Sequence, residues 1–203
     1  MPNLEEWRFN LSLLRKAFVY EAHTPPTDAN IRMVVDASYS AEDPSSDPSA
    51  IIVGYKYSRP TGELDLNILD ASIGRFKGIK LPEEIIRMAR LWNPYRISIE
   101  KFGPGSYDLL HDVLSLLTKD DPLRGSILPF NPRNTNRAKP IRIRKIQTTM
   151  LEPDPPFLHI YCPAIFEHLL KEAEDFAFES DRNFERPDDA LDCIALMATR
   201  GEL

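Results

Sequence analysis

IRMVVDAS, residues 31–38, is a short β-branched apolar run that closes on an acid and gives way to a polar, proline-bearing stretch from Ser40 to Ser49. A run this short and this rich in valine reads as a buried strand from Ile31 to Asp36. A carboxylate at the end of a buried strand is costly unless a cation or strong donors compensate it. Asp36 therefore carries the first hint of chemistry as well as the first element of the fold.

Downstream, Ala50 to Ser58 and Leu66 to Arg75 are strand candidates joined by Arg59-Pro60-Thr61-Gly62, whose proline and glycine suit a hairpin turn. With the first strand they make a three-stranded meander. Leu81 to Leu91 opens on Pro-Glu-Glu and is stopped by Asn93-Pro94, the marks of a helix. Tyr95 to Glu100 is a second short buried strand ending in an acid, and Gly103-Pro104-Gly105 turns from it into a helix over about Ser106 to Leu117. Strand, acid, turn and helix form an α/β crossover. Ser126 to Phe130 and Phe157 to Tyr161 are further strands, Ala164 to about Phe178 a helix, and Asp188 to Thr199 a mostly buried one. The expected fold class is α/β: a mixed β-sheet flanked by helices on both faces.

The composition, 42% hydrophobic and 28% charged over 203 residues, fits one globular domain spanning 1–203. Within it, residues 1–22 hold an amphipathic helix, expected from Asn3 to Tyr20, with Leu4, Trp7, Leu11, Leu14, Phe18 and Val19 on one face. A net charge of -6 makes any nucleic-acid contact local rather than global. Cys162 and Cys193 lack CxxC spacing, which argues against a zinc site or disulfide framework and for a reduced, cytoplasmic setting. No 18 apolar residues follow one another, so neither a membrane span nor an export leader is expected.

Asp36 and Glu100 each end a strand, and on neighbouring strands they would share the carboxyl edge of the sheet. Asp188-Asp189 opens the last helix and can approach that edge from the side. Three or four carboxylates suit Mg²⁺ or Mn²⁺, and two such ions roughly 3.5–4 Å apart serve phosphodiester cleavage. Each acid also has an ordinary reading. Taken alone, Asp188-Asp189 after Pro187 reads first as helix initiation, Asp36 as a turn residue, and Glu100 as a partner of Lys101 or a distant arginine. Their joint occurrence shifts the odds toward metal. His23, His111, His159 and His168 are scattered and read as structural or surface residues.

VVDAS, ISIEKFGPGSYDLL and RPDDALDCIALM, in this order and with these separations, resemble the nuclease domain of the large terminase subunit of tailed double-stranded DNA bacteriophages. The resemblance implies an RNase H-like fold, with Asp36, Glu100 and Asp189 as catalytic metal ligands and Asp188 or Asp192 assisting. It implies Mg²⁺- or Mn²⁺-dependent endonuclease activity, with two ions, that cuts concatemeric viral DNA during packaging in the cytoplasm of an infected bacterium. Its partners would be double-stranded DNA, a motor ATPase domain, the small terminase subunit and the portal. The chain has no GxxxxGK[ST] phosphate loop, so residues 1–22 are expected to be either a connection from a motor or a helix packed on the nuclease.

Pro122 to Leu151 holds seven basic residues and no acid. Arg133, Arg137, Lys139, Arg142, Arg144 and Lys145 of that stretch are expected to hold the DNA backbone without reading sequence, the plain reading being a solvated basic face. Two other functions stay open: another RNase H-like nuclease, of junction-resolvase or transposase type, and a DNA-binding or assembly module whose acids are structural.

Overall fold

The computed structural model describes residues 9–37, 48–100, 105–130, 139–176 and 189–198. Six strands form one mixed sheet: β1 (Arg32–Asp36), β2 (Ser49–Ser58), β3 (Leu64–Gly74), β4 (Arg96–Glu100), β5 (Ile127–Phe130) and β6 (Leu158–Ile160). Their order across the sheet is β5-β4-β1-β2-β3-β6. β1, β2 and β3 are the antiparallel meander; β4 pairs parallel with β1, β5 with β4, and β6 with β3. This is the mixed sheet that the sequence predicts.

Strand side chains alternate between faces, and that alternation divides the apolar residues into two cores. Met33, Val35, Ile51, Val53, Ile97 and Ile99 face one way, with Leu81, Ile85, Met88, Leu109 and Val113 of α2 (Lys80–Trp92) and α3 (Gly105–Ser115) packed over them. Val34, Ala50, Ile52, Leu66 and Ile68 face the other way. There they meet α1 (Leu11–Lys16), α5 (Lys139–Ile146), α6 (Phe166–Asp175) and α7 (Asp189–Ala198); the short α4 (Leu123–Ser126) leads into β5. The same rule that buries Val34 on the α7 side puts Asp36 there, and the rule that sends Ile97 and Ile99 away puts Glu100 there.

Several boundaries differ from the sequence expectation for local reasons. Of the helix expected from Asn3 to Tyr20, the described residues hold α1, which Asn10 caps by accepting from the amides of Ser12 and Leu13. After Lys16 the chain extends along β6, where Ile160 N–H donates to Ala17 and Val19 N–H donates to Ile160 at 2.7 and 2.9 Å. Leu4 and Trp7 lie outside the described residues. α2 ends as expected at Asn93, whose φ of 44° is the left-handed conformation that Asn tolerates, and its N–H closes on Ala89 O.

The basic stretch contains a helix that its charge concealed. Ile143, Ile146, Met150 and Leu151 of α5 and the π-helical turn Gln147–Leu151 recur at helical spacing and are buried against the α7 side. α7 itself lies close on the sheet: a Cβ added to Gly54 would sit 2.4 Å from Asn67 O and 3.0 Å from Met197 Sδ. Gly54 stands beside an irregularity in the β2 pairing, where only a residue without a side chain leaves room for that approach.

Candidate metal centre

β1 and β4 are parallel neighbours with Val34 opposite Ser98 and Val35 opposite Ile99, so the next residues, Asp36 and Glu100, end side by side. α7 crosses over this corner, with Cys193 Sγ 3.9 Å from Ala50 O, the residue paired with Asp36. Asp189 and Asp192 are three apart on α7 and share its sheet-facing side. Carboxylate oxygens of Asp36, Glu100 and Asp192 lie within 4.8 Å of one another, the one such group of potential ligands found among the described residues.

Asp189, the acid the resemblance prefers as ligand, stands just outside that tight group. Its carboxylate accepts from Lys139 Nζ at 3.1 Å, and the same ammonium is 3.9 Å from Asp36 Oδ2. Asp192, held in reserve by the sequence reading, is the α7 acid brought against Asp36 and Glu100. Helical phase decides this, since each residue along α7 turns its side chain by about 100°. Asp188 lies outside the described residues.

Burial dominates the electrostatics. Asp36 is held well above the usual carboxylate range, first by burial, then by Glu100 and Asp189, with Lys139 opposing. Glu100 is pushed up by burial and by Asp192, against a hydrogen bond with Asp36 and the charges of Lys139 and Arg142. Cys193, enclosed behind them, is pushed up by burial and by the same acids. Glu100 Oε2 is buried without a hydrogen-bond partner. Burial and mutual repulsion thus favour a proton on these groups, the condition a bound cation would relieve.

Arg142, expected on the DNA path, is instead 7% exposed and donates to Asp192 from Nε at 3.1 Å and from Nη2 at 2.7 Å. The reason is helical: Arg142 sits next to Ile143 on the inward side of α5, facing α7. Lys139, one turn earlier, points into the same cluster. Arg144 and Lys145 are exposed on the opposite side, and Arg133 and Arg137 lie outside the described residues. Lys139 and Arg142 therefore sit among the acids as fixed cations. An all-oxygen donor set with an orphaned Glu100 oxygen fits a hard divalent ion.

The histidines are engaged elsewhere. His23 Nε2 is 2.6 Å from Tyr55 OH and its ring stacks on Tyr161; His159 contacts Asp65 at 3.3 Å. His111 is exposed. Cys162 and Cys193 are both free and buried. Sequence reasoning missed two things at this site: the cations from α5, and Glu172 of α6, buried beside the start of α7. The signal for Glu172 was available, as an acid between Leu169 and Ala173 on the apolar side of an amphipathic helix. No helix among the described residues is long and apolar enough to cross a membrane.

No protein-family model and no curated protein matches the chain. Among solved structures it is similar to the Holliday junction resolvase of fowlpox virus, with a TM-score of 0.44 and 13% identity over 82% of this chain and 93% of that one. It is also similar to RuvC of Thermus thermophilus, at TM-score 0.42 and 10% identity over 82% and 90% of the two chains. RuvC of the same organism in complex with a Holliday junction substrate gives 0.38 and 8%, again over 82% and 90%.

Proposed function

We propose that this chain is a Mg²⁺- or Mn²⁺-dependent DNA endonuclease whose centre is built from Asp36, Glu100 and Asp192, with Asp189 adjoining. The observation that carries the reading is the convergence of these acids from two strand ends and α7, with one buried oxygen of Glu100 left without a hydrogen-bond partner. A purely structural cluster gains little from such an arrangement, because buried like charges raise the energy of the fold. Divalent ions, when bound, supply Lewis-acid stabilisation of charge developing on a phosphodiester and a nucleophile at neutral pH.

The protein's own residues do the rest. Asp36 and Glu100 present oxygens from two adjacent strand ends, a rigid base that fixes their separation. Arg142 holds the plane of Asp192 by a two-point grip, and Lys139 keeps the Asp189 and Asp36 carboxylates from repelling one another before ions arrive. The burial of the cluster on the α7 side limits water, which strengthens each of these electrostatic terms. Arg144 and Lys145, on the outer side of α5, lie where phosphates of a strand could be held.

The form of the DNA divides two readings. The motif order resembles a terminase nuclease, which would cut concatemeric duplex in an infected bacterium alongside a motor ATPase, small subunit and portal. The similar solved structures are Holliday junction resolvases, so a four-way junction is the first substrate to try. The centre is common to both, and the described residues hold nothing specific to packaging. Cleavage of plain duplex, four-way junction and RNA–DNA hybrid, each with Mn²⁺, Mg²⁺ or EDTA, tests the proposal. Cutting of at least one DNA form that needs metal and is lost in Asp36→Asn is expected; metal-independent cutting, or cutting unchanged by Asp36→Asn, would remove it.

A further inference from the structure

The first turn of α7 is held by an acid outside the metal centre. Glu172 of α6 is 3% exposed, and its two oxygens accept from the backbone amides of Ala190 at 3.3 Å and Leu191 at 3.0 Å. These are donors of the kind a helix start leaves without intrahelical partners, and the positive end of the helix dipole favours an anion there. His168, one turn earlier on α6, lies with Nε2 2.8 Å from Glu172 Oε1, and since a carboxylate only accepts, the imidazole donates. Both side chains line a cavity of about 420 Å³ with Ile73, Gly74 and Lys171.

Leu169, Ala173 and Phe176 make this side of α6 apolar. Ordinary packing would be served by another aliphatic residue at 172, and a buried carboxylate is tolerated only because three donors converge on it. Two of the three, the amides of Ala190 and Leu191, tie it to the residues between Asp189 and Asp192. α7 is thus gripped twice over the same turn: its acids by Lys139 and Arg142 from α5, its backbone by Glu172 from α6.

We infer that Glu172 is a positioning residue for the metal centre, setting the height and rotation of the first α7 turn so that Asp192 meets Asp36 and Glu100; the inference rests on the metal-centre reading above. A cap serving stability alone would lower the melting temperature and leave the folded protein's metal affinity unchanged. A positioning residue changes the affinity itself, typically by 10–100-fold when such a supporting contact is lost.

The test is calorimetric titration of the full chain with Mn²⁺, comparing wild type, Glu172→Ala, Glu172→Gln and Asp36→Asn, each checked for native circular dichroism. Asp36→Asn should lose Mn²⁺ binding, Glu172→Ala should weaken it about tenfold or more, and Glu172→Gln, which keeps one acceptor oxygen, should fall between. Wild-type affinity in both Glu172 variants, with binding lost in Asp36→Asn, would overturn the positioning role and leave the centre standing. Undiminished binding in Asp36→Asn would overturn both. If Glu172→Ala does not fold, Glu172→Gln decides: weakened affinity supports the role, and affinity equal to wild type overturns it.

Discussion

Arg142 grips both carboxylate oxygens of Asp192 in the interior, with side chains 7% and 2% exposed, while an oxygen of the same Asp192 lies within 4.8 Å of potential ligand atoms of Asp36 and Glu100. One acid is therefore shared between a fixed organic cation and the candidate metal. A two-point guanidinium contact fixes the plane of the carboxylate, and the carboxylate's remaining lone pairs stay available to an ion. On the proposed reading, stability and metal occupancy are coupled through this residue.

Removing the fixed cation should expose that coupling. In Arg142→Met, Asp192 stays buried with its partner gone, a change that costs about 3–5 kcal/mol in comparable buried pairs. Denaturant unfolding of the metal-free protein should show a loss of that order, and saturating Mn²⁺ should recover part of it, because binding to the native state adds stability by mass action. A loss under about 1 kcal/mol, in the range of an exposed pair, would mean that Asp192 does not depend on Arg142.

Asp36→Asn should act in the opposite direction. Burial and the neighbouring acids raise Asp36 and Glu100 above their ordinary range in the folded state. The folded protein then binds more protons than the unfolded chain between the ordinary carboxylate value near 4 and the raised one. The contribution of these two acids to stability is complete at low pH and is lost as pH rises through their folded-state values. Metal-free wild type should therefore gain stability relative to Asp36→Asn as pH falls from neutral toward about 5, and Asp36→Asn should melt higher than metal-free wild type at pH 7. Melting curves across this range decide the matter; a neutral-pH wild type more stable than Asp36→Asn without metal would contradict it.

The meander, the crossover to β4 and the two strand-end acids were legible because a strand's period of two is a local property: once Val34 is buried, the face of Asp36 is fixed. Asp192 was harder to rank, since the rotation of α7 depends on what grips it, and neither Glu172 nor Arg142 is near it in sequence. α5 was hidden for a related reason. Its charges made Pro122 to Leu151 look like one solvated strip, although Ile143, Ile146 and Met150 already carried the helical period. Arg142 faces inward because it neighbours Ile143 on that helix, so a charge count alone assigned it to the surface.

Lys139 should behave as a competitor of the metal. Its ammonium lies 3.1 Å from Asp189 Oδ1 and 3.9 Å from Asp36 Oδ2, and its side chain is 31% exposed. For a partly exposed pair the contribution is on the order of 1 kcal/mol, so Lys139→Met should bind Mn²⁺ several-fold more tightly than wild type. The same variant should melt lower without metal, since it removes the ammonium's contacts with Asp189 and Asp36. Calorimetry and melting together check both signs, and weaker Mn²⁺ binding in Lys139→Met would show that the lysine organises the acids rather than competing for them.

The outer side of α5 makes a separate prediction about DNA. Arg144 and Lys145 are exposed on the outer side of the helix whose inner side delivers Lys139 and Arg142 to the centre, which makes that outer side the candidate place for a phosphate backbone. Contacts to phosphate are sequence-independent and release counterions, with a slope in log affinity against log salt of about -0.9 per duplex phosphate contact. The double variant Arg144→Ala, Lys145→Ala should therefore weaken binding evenly across unrelated DNA sequences and flatten the salt slope by about 2. Its Mn²⁺ affinity should stay at the wild-type value, because neither side chain enters the acid cluster. Fluorescence anisotropy over a salt series, run with Mn²⁺ titration of the same protein, separates the two effects. An unchanged slope would move the DNA path away from α5.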